Sequence, residues 1–412
     1  MSQPKGWLRW VAVAILVVVC AVVIRMIMFK PPHLSLRVTV GSAAKLPGPA
    51  PAPAWPATGA AALDVPGIGS LGSAGGDSPR PTASLAKVMT AYLTLKKHPL
   101  SATGTATGFT LTVTGAEARA ESQDTGQNES VVAVRAGEQL NERQLLEALL
   151  IPSGDNIAQL LAAYDAGSVS RFVAEMNGTA HALGMNHTTY TDPSGFDPST
   201  TSTPADQLRV FEQAMRFAVF RQIVSMPSAT LPVAGTVGNY DPILAEGYDG
   251  KTGSDSAAEG CLAFFKDVTV AGRRLSVVGV VMGQGYGSTT SVILGAAAAA
   301  AERLVGSVLP SIQPHTVVPA GATVMEAGSP DGNRVSAVTA EPLRVIGWGG
   351  IQEHLAFRRS SLGTELSAGQ RVGEVALTRR LPIATGDHQA TTVRAARRLP
   401  APGFFWRLGH LL

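Results

Sequence analysis

The sequence predicts a mixed α/β domain followed by a small all-β domain. Three observations predict it. Between residues 61 and 309, runs of good helix formers alternate with β-branched apolar runs. Two of those runs, 261–270 and 275–282, are joined by Ala271-Gly272-Arg273-Arg274, which reads as a hairpin. After Pro310 the texture changes to short alternating runs, such as Leu343-Arg344-Val345 and 372–377, separated by Gly, Pro, Asn and Asp. That is the pattern of a small β-sandwich-like domain. With 412 residues, 45% hydrophobic and 15% charged, the chain can build one large core and a smaller one.

The elements follow in order. Lys5 and Arg9 precede an apolar run at 11–24; Arg25 interrupts it and 26–29 continue it. Trp7 and Trp10 stand where interface anchors would, so a membrane span is predicted. No small-residue cleavage site closely follows, which favours a retained anchor over a cleaved signal peptide. The positive flank places the N-terminus inside and the bulk of the chain outside the cytoplasm. Residues 45–56, KLPGPAPAPAWP, favour extended polyproline and read as a spacer. The expected organisation is a cytoplasmic tip and anchor at 1–30, a linker at 31–60, the main domain at 61–309, the β-rich domain at 310–400 and a tail at 401–412.

Within the main domain, helices are expected at 83–95, at 145–163 on both sides of a polar knot, at 172–183 and at 207–223. The Ala-rich run 295–304 reads as a helix whose small-residue face lies close against a sheet. In the β-rich domain, Arg358, Arg359, Arg379, Arg380, Arg397 and Arg398 read as solvated edge protection rather than a face for acidic polymers or lipid. The tail, FFWRLGHLL, has Arg407 and His410 spaced for one helical face; an interfacial anchor and packing on its own domain are both open. Cys20 and Cys261 imply no disulfide framework.

Some chemistries are disfavoured. A net charge of +3 is too mild to argue for nucleic acid. The eight histidines form no H-E-x-x-H pattern, so a zinc peptidase is unsupported. Residues 67–72 match G-x-G-x-x-G literally, but no helix follows to receive a pyrophosphate, so a hairpin turn is expected. Gly283, Gly285 and Gly287 read as a loop after a strand, and Asp192-Pro193-Ser194-Gly195 as a turn.

Three motifs carry chemistry. Ser84-Leu85-Ala86-Lys87 places a serine and a lysine one turn apart on one helix face. A serine hydroxyl is a poor nucleophile at neutral pH and needs a base within reach; a lysine with a depressed pKa can serve. Ser153-Gly154-Asp155-Asn156 interrupts two helical stretches with a hydroxyl, a carboxylate and an amide. Lys251-Thr252-Gly253-Ser254 precedes the hairpin, where a lysine and hydroxyls on a strand edge can hold a carboxylate. Each alone has a bland reading as a capping serine, a helix cap or a surface turn. Together, separated by roughly 70 and roughly 100 residues, they have the order of the S-x-x-K, S-x-N, K-T-G set.

On these motifs the chain resembles the low-molecular-weight penicillin-binding proteins, serine-type D-Ala-D-Ala carboxypeptidases. PTASLAKVMTAYLTL, ALLIPSGDNIAQLLA and MNGTAHALGMNHTTYTDPSGFDPSTTSTPADQL extend the likeness over about residues 63–304. The resemblance implies a penicillin-binding/serine β-lactamase-like transpeptidase fold: a five-stranded antiparallel sheet and a helical cluster, with the active site between them. It implies that Ser84 is acylated, that Lys87 is the general base and that Ser153 relays protons to the leaving amine. It also implies that Lys251, Thr252, Gly253 and Ser254 bind the substrate carboxylate and backbone, with the N–H groups of Ser84 and Ser254 as the oxyanion hole. The implied substrates are peptidoglycan stem peptides ending in D-Ala-D-Ala, with β-lactams as covalent inhibitors and no metal or cofactor.

The misfit is Asp155, where the family pattern has asparagine. A carboxylate accepts from lysine but cannot donate to substrate. On this reading, an asparagine at 155 is expected to match or exceed the natural residue. The alternatives are a non-catalytic penicillin- or wall-peptide-binding protein and a serine β-lactamase. The second lacks support, because no E-x-x-L-N lies between the second and third motifs.

Overall fold

In the computed structural model the described residues are 6–101, 108–126, 129–285, 287, 289–378, 383 and 386–410. They form two compact units: residues 51–312, and residues 1–50 together with 313–412.

The larger unit is built on a five-stranded antiparallel sheet. Its spatial order is Tyr248–Asp255, Glu259–Val270, Arg273–Gln284, Ala60–Val65, Gly69–Ala74. The expected hairpin is present and longer than the apolar runs, turning on Ala271 and Gly272, both at positive φ. The G-x-G-x-x-G stretch is also a hairpin turn, between Ala60–Val65 and Gly69–Ala74. The long helix Thr290–Val308 packs on the two hairpin strands through buried Ala297, Ala298, Ala300 and Ala301. Small side chains let the helix axis lie close to the sheet.

The helical cluster surrounds Ala86–Lys97, whose residues 86–95 are all buried. Glu142–Leu150, Asp155–Ala166, Val169–Ala182 and Pro204–Ala214 pack against it. Local chemistry starts these helices. Asn141 and Gln144 form a reciprocal capping box, Ser168 caps its helix, and Thr203 caps a helix with Pro204 in its first turn. The expected single helix at 207–223 is two, Pro204–Ala214 and Ala218–Val224, broken where Phe217 is extended. The break lets Phe211 and Phe220 meet edge-on in the core, at 5.8 Å between centroids.

The smaller unit holds a seven-stranded sheet in the order Ser35–Val38, Thr323–Gly328, Arg334–Thr339, Ala390–Ala395, Arg371–Leu377, Gln352–Arg359, Ala43–Lys45. Gln313–Val318 pairs with Leu343–Gly347 beside it. Here the expectation of a linker over 31–60 needs correction. Residues 35–38 and 43–45 are the two outermost strands of this sheet, and Leu34 and Leu46 are buried in its core. Strands of four and three residues carry too little pattern to be read without their partners; the Pro-Ala stretch that follows is coil.

Gly6–Met28 is one apolar helix with no buried residue. Its 23 residues span about 35 Å at 1.5 Å per residue, enough for a bilayer core. The tail forms the short helix Phe404–Gly409; Trp406 packs on Phe29 while Phe404 and Phe405 stay exposed. Arg358 pairs with Glu374 and Arg398 with Glu365 on the exposed surface. Arg379 and Arg380 lie outside the described residues.

Candidate active site

The first wall is a turn. Residues 83–85 form a single 3₁₀ turn that continues into Ala86–Lys97. Ala83 has a positive φ of 44°, a conformation an L-residue adopts only under constraint. This turn brings Ser84 to the surface between buried neighbours and puts Lys87 one turn deeper, fully buried.

Lys87 Nζ has three partners: Ser84 Oγ at 2.7 Å, Asp155 Oδ1 at 2.5 Å and the Ser194 carbonyl at 3.2 Å. Two of these can only accept. As an ammonium, Lys87 donates to all three. As a free amine, it keeps its two N–H groups on Asp155 and Ser194 and turns its lone pair to the Ser84 hydroxyl. The geometry therefore suits a base as well as a cation.

The second wall is the knot, between Glu142–Leu150 and Asp155–Ala166. Ser153 sits at φ 66°, in the left-handed region, and its buried Oγ has no hydrogen-bond partner among the described residues. Asp155 Oδ2 accepts from the Ser130 backbone N–H at 2.8 Å. Asn156 faces away from Lys87 and bonds both backbone groups of Val132. Of Asp155 and Asn156, Asp155 is thus the one that meets the lysine.

The third wall is the sheet's edge strand, Tyr248–Asp255. Lys251, Thr252 and Gly253 are buried and Ser254 is half-buried. A Cβ at Gly253 would stand 3.2 Å from Ser84 N and 3.1 Å from Thr82 O, so the strand runs directly against the nucleophile turn. Lys251 Nζ donates to the Thr252 carbonyl at 2.7 Å. Burial, and then the charge of Lys87, push the Lys251 ammonium well below the ordinary lysine range; Asp155 and Asp241 oppose the shift.

The sequence marked 192–195 as a turn but not what holds it. Asp192 Oδ2 accepts from Ser194 N, Ser194 Oγ, Gly195 N and Phe196 N, and Oδ1 accepts from Thr200 Oγ1. Thr90 Oγ1 donates to the Pro193 carbonyl at 2.6 Å. The turn thereby presents the Ser194 carbonyl to Lys87. The D-P-S-G signature announced a turn; nothing local announced its partner.

Known proteins are similar to this chain in sequence and in fold. The model for D-alanyl-D-alanine carboxypeptidases matches residues 65–285, just over half of the chain. A D-alanyl-D-alanine carboxypeptidase of Mycobacterium tuberculosis is 34% identical over 206 residues, covering 48% of this chain and 65% of the relative. A D-alanyl-D-alanine endopeptidase of Pseudomonas aeruginosa is 34% identical over 98 residues, 24% of this chain and 32% of the relative. The chain thus spans less than two thirds of each of these two relatives. The solved Streptomyces DD-transpeptidase superimposes with a TM-score of 0.50 at 25% identity, covering 64% of this chain and 98% of that one. The D-alanyl-D-alanine carboxypeptidase structure from Francisella tularensis gives 0.55 over 85% of this chain and 96% of that one; at 19% identity it speaks for the fold alone. With the first two motifs meeting at Lys87, the third running against the Ser84 turn, and the family match running from the first sheet strand to the end of the hairpin, the chain belongs to the D-alanyl-D-alanine carboxypeptidase family.

Proposed function

We propose that this chain is a membrane-anchored serine D-Ala-D-Ala carboxypeptidase that trims the terminal D-alanine from peptidoglycan stem peptides. The helix Gly6–Met28 would hold it in the membrane with the N-terminus inside, and residues 61–309 would work on the extracytoplasmic side. The observation that carries the reading is the contact of Lys87 Nζ with Ser84 Oγ at 2.7 Å, in a buried cluster open only at the serine.

Ser84 Oγ attacks the penultimate D-alanine carbonyl as its proton passes to Lys87. The carbonyl oxygen, now negative, takes hydrogen bonds from the N–H groups of Ser84 and Ser254. Ser153 passes its proton to the departing D-alanine nitrogen as the C–N bond breaks and takes up the proton held by Lys87, which leaves the lysine a free amine for the next step. Water then attacks the ester, returns the proton to Ser84 and frees the shortened peptide. Lys251 and Thr252 hold the terminal carboxylate. β-Lactams would acylate Ser84 by the same steps.

The test is D-alanine release from a D-Ala-D-Ala pentapeptide by the full chain, beside labelling with a fluorescent penicillin. The expected result is release and a covalent label on Ser84, both reduced to background in Ser84→Ala. Absence of a label overturns acyl transfer at Ser84. A label without D-alanine release moves the chain to a penicillin- or wall-peptide-binding role.

A further inference from the structure

Residues 130–132 run past the knot and are stitched to it. Asp155 N donates to the Ser130 carbonyl at 2.7 Å, and Ser130 N returns a hydrogen bond to Asp155 Oδ2 at 2.8 Å. Asn156 does the same for Val132 through its side chain: Val132 N donates to Oδ1 at 3.1 Å, and Nδ2 donates to the Val132 carbonyl at 2.8 Å. Four hydrogen bonds thus tie two residues of a strap to two residues of a helix start. Between them, Val132 lies on Gly154: a Cβ there would meet Val132 Cγ2 at 2.8 Å. Gly154 N in turn donates to the Ala148 carbonyl. Ser153 is next to this glycine and is held with φ 66° and a buried hydroxyl that has no partner among the described residues.

We propose that Asp155 and Asn156 clamp the strap at 130–132 onto the knot, that this clamp positions Ser153 and Lys87, and that it requires a carboxylate rather than an amide at residue 155. The second part follows from donor and acceptor counting. Asp155 accepts on both oxygens, from Lys87 on one side and from a backbone N–H on the other. An amide has one oxygen. With that oxygen on Lys87, its NH₂ group faces the Ser130 N–H; turned over, its NH₂ group faces the lysine. Either way two donors confront each other. Asn156 is the converse case: Val132 offers it one donor and one acceptor, which an amide satisfies and a carboxylate does not. The order Asp then Asn is therefore set by the backbone groups of the strap. Asp155 is a positioning residue in this scheme, since its effect on substrate passes through Lys87 and Ser153. This reverses the expectation that asparagine at 155 would match or exceed aspartate.

The activity arm of the test rests on the proposed acyl transfer; the structural arm does not. Amide hydrogen exchange is followed at Ser130 and Val132 in the full chain, unmodified and as Asp155→Asn, and kcat and KM for D-alanine release are followed across pH. In the unmodified chain, both amides should be protected. In Asp155→Asn, Ser130 exchange should quicken at least tenfold while Val132 keeps its protection through Asn156. The value of kcat should fall at least tenfold at every pH, whereas an effect passing only through the charge of Lys251 would appear in KM. An unprotected Ser130 amide in the unmodified chain overturns the clamp, and this arm stands even when the variant does not fold. Undiminished kcat in Asp155→Asn overturns the requirement for a carboxylate. Failure of the acyl-transfer reading would show separately, as an unmodified chain that no penicillin labels.

Discussion

Lys251 is a buried lysine whose charge depends on its neighbours. Burial and the charge of Lys87 disfavour the ammonium, and the carboxylates of Asp155 and Asp241 favour it. Asp241 is itself buried; burial pushes its carboxyl up to about 6, and its Oδ2 has no hydrogen-bond partner among the described residues. The sign follows. Above about pH 6 Asp241 is an anion and favours the charged form of Lys251; below that it is neutral and does nothing for Lys251. Asp241→Asn should therefore discharge Lys251 at lower pH and raise KM for the peptide on the alkaline side, by up to about tenfold for one unit of pKa. At pH 5 variant and wild type should bind alike. Superimposable KM profiles from pH 5 to 9 would remove Asp241 from this role. Neither the burial of Lys251 nor the existence of Asp241 as its partner was legible in K-T-G-S, because both depend on residues ten and more positions away closing over the strand.

The nucleophile helix and the turn at 192–195 work as a pair. The motif Ser84-Leu85-Ala86-Lys87 could be read from its i, i+3 spacing because both residues lie on one element. The carbonyl of Ser194 that holds Lys87 could not, since it comes from a backbone atom more than a hundred residues away. Gly195 shows how closely the two elements meet. It has φ +81°, and a Cβ there would run into the Ala83 carbonyl, next to Ser84. Gly195→Ala meets two penalties at once, a left-handed backbone and a clash with a main-chain atom. Together they should cost about 2–3 kcal/mol. Tm should then fall by at least about 4 °C for a unit of this size. Penicillin acylation should slow at least tenfold, because the displaced atom is one residue from the nucleophile. An acylation rate equal to wild type would show that the turn does not fix Ser84.

At the scale of the whole chain, the apolar N-terminal helix and the smaller unit cannot be cut apart at the expected linker. Residues 35–38 and 43–45 are the outermost strands on the two opposite sides of the seven-stranded sheet. Removal of residues 1–30 leaves both in place; removal of 1–50 bares two sheet edges and strips Leu34 and Leu46 from the core. The first truncation should leave the membrane fraction as a monodisperse protein. The second should aggregate or lose protease resistance within 313–410, and equal resistance in the two would separate these strands from the stability of the unit. What the sequence determined by itself was local or compositional: the apolar N-terminal helix, the hairpin, and three motifs whose residues are neighbours along the chain. The tertiary structure alone decided which walls those motifs make, that Asp155 serves Lys87 and Ser130 at once while Asn156 serves Val132, and that a supposed linker closes a sheet. The reason is physical: periodicity and capping are set by residues within a turn or two, whereas a hydrogen-bond partner or a strand neighbour is chosen by the fold that brings distant backbone into reach.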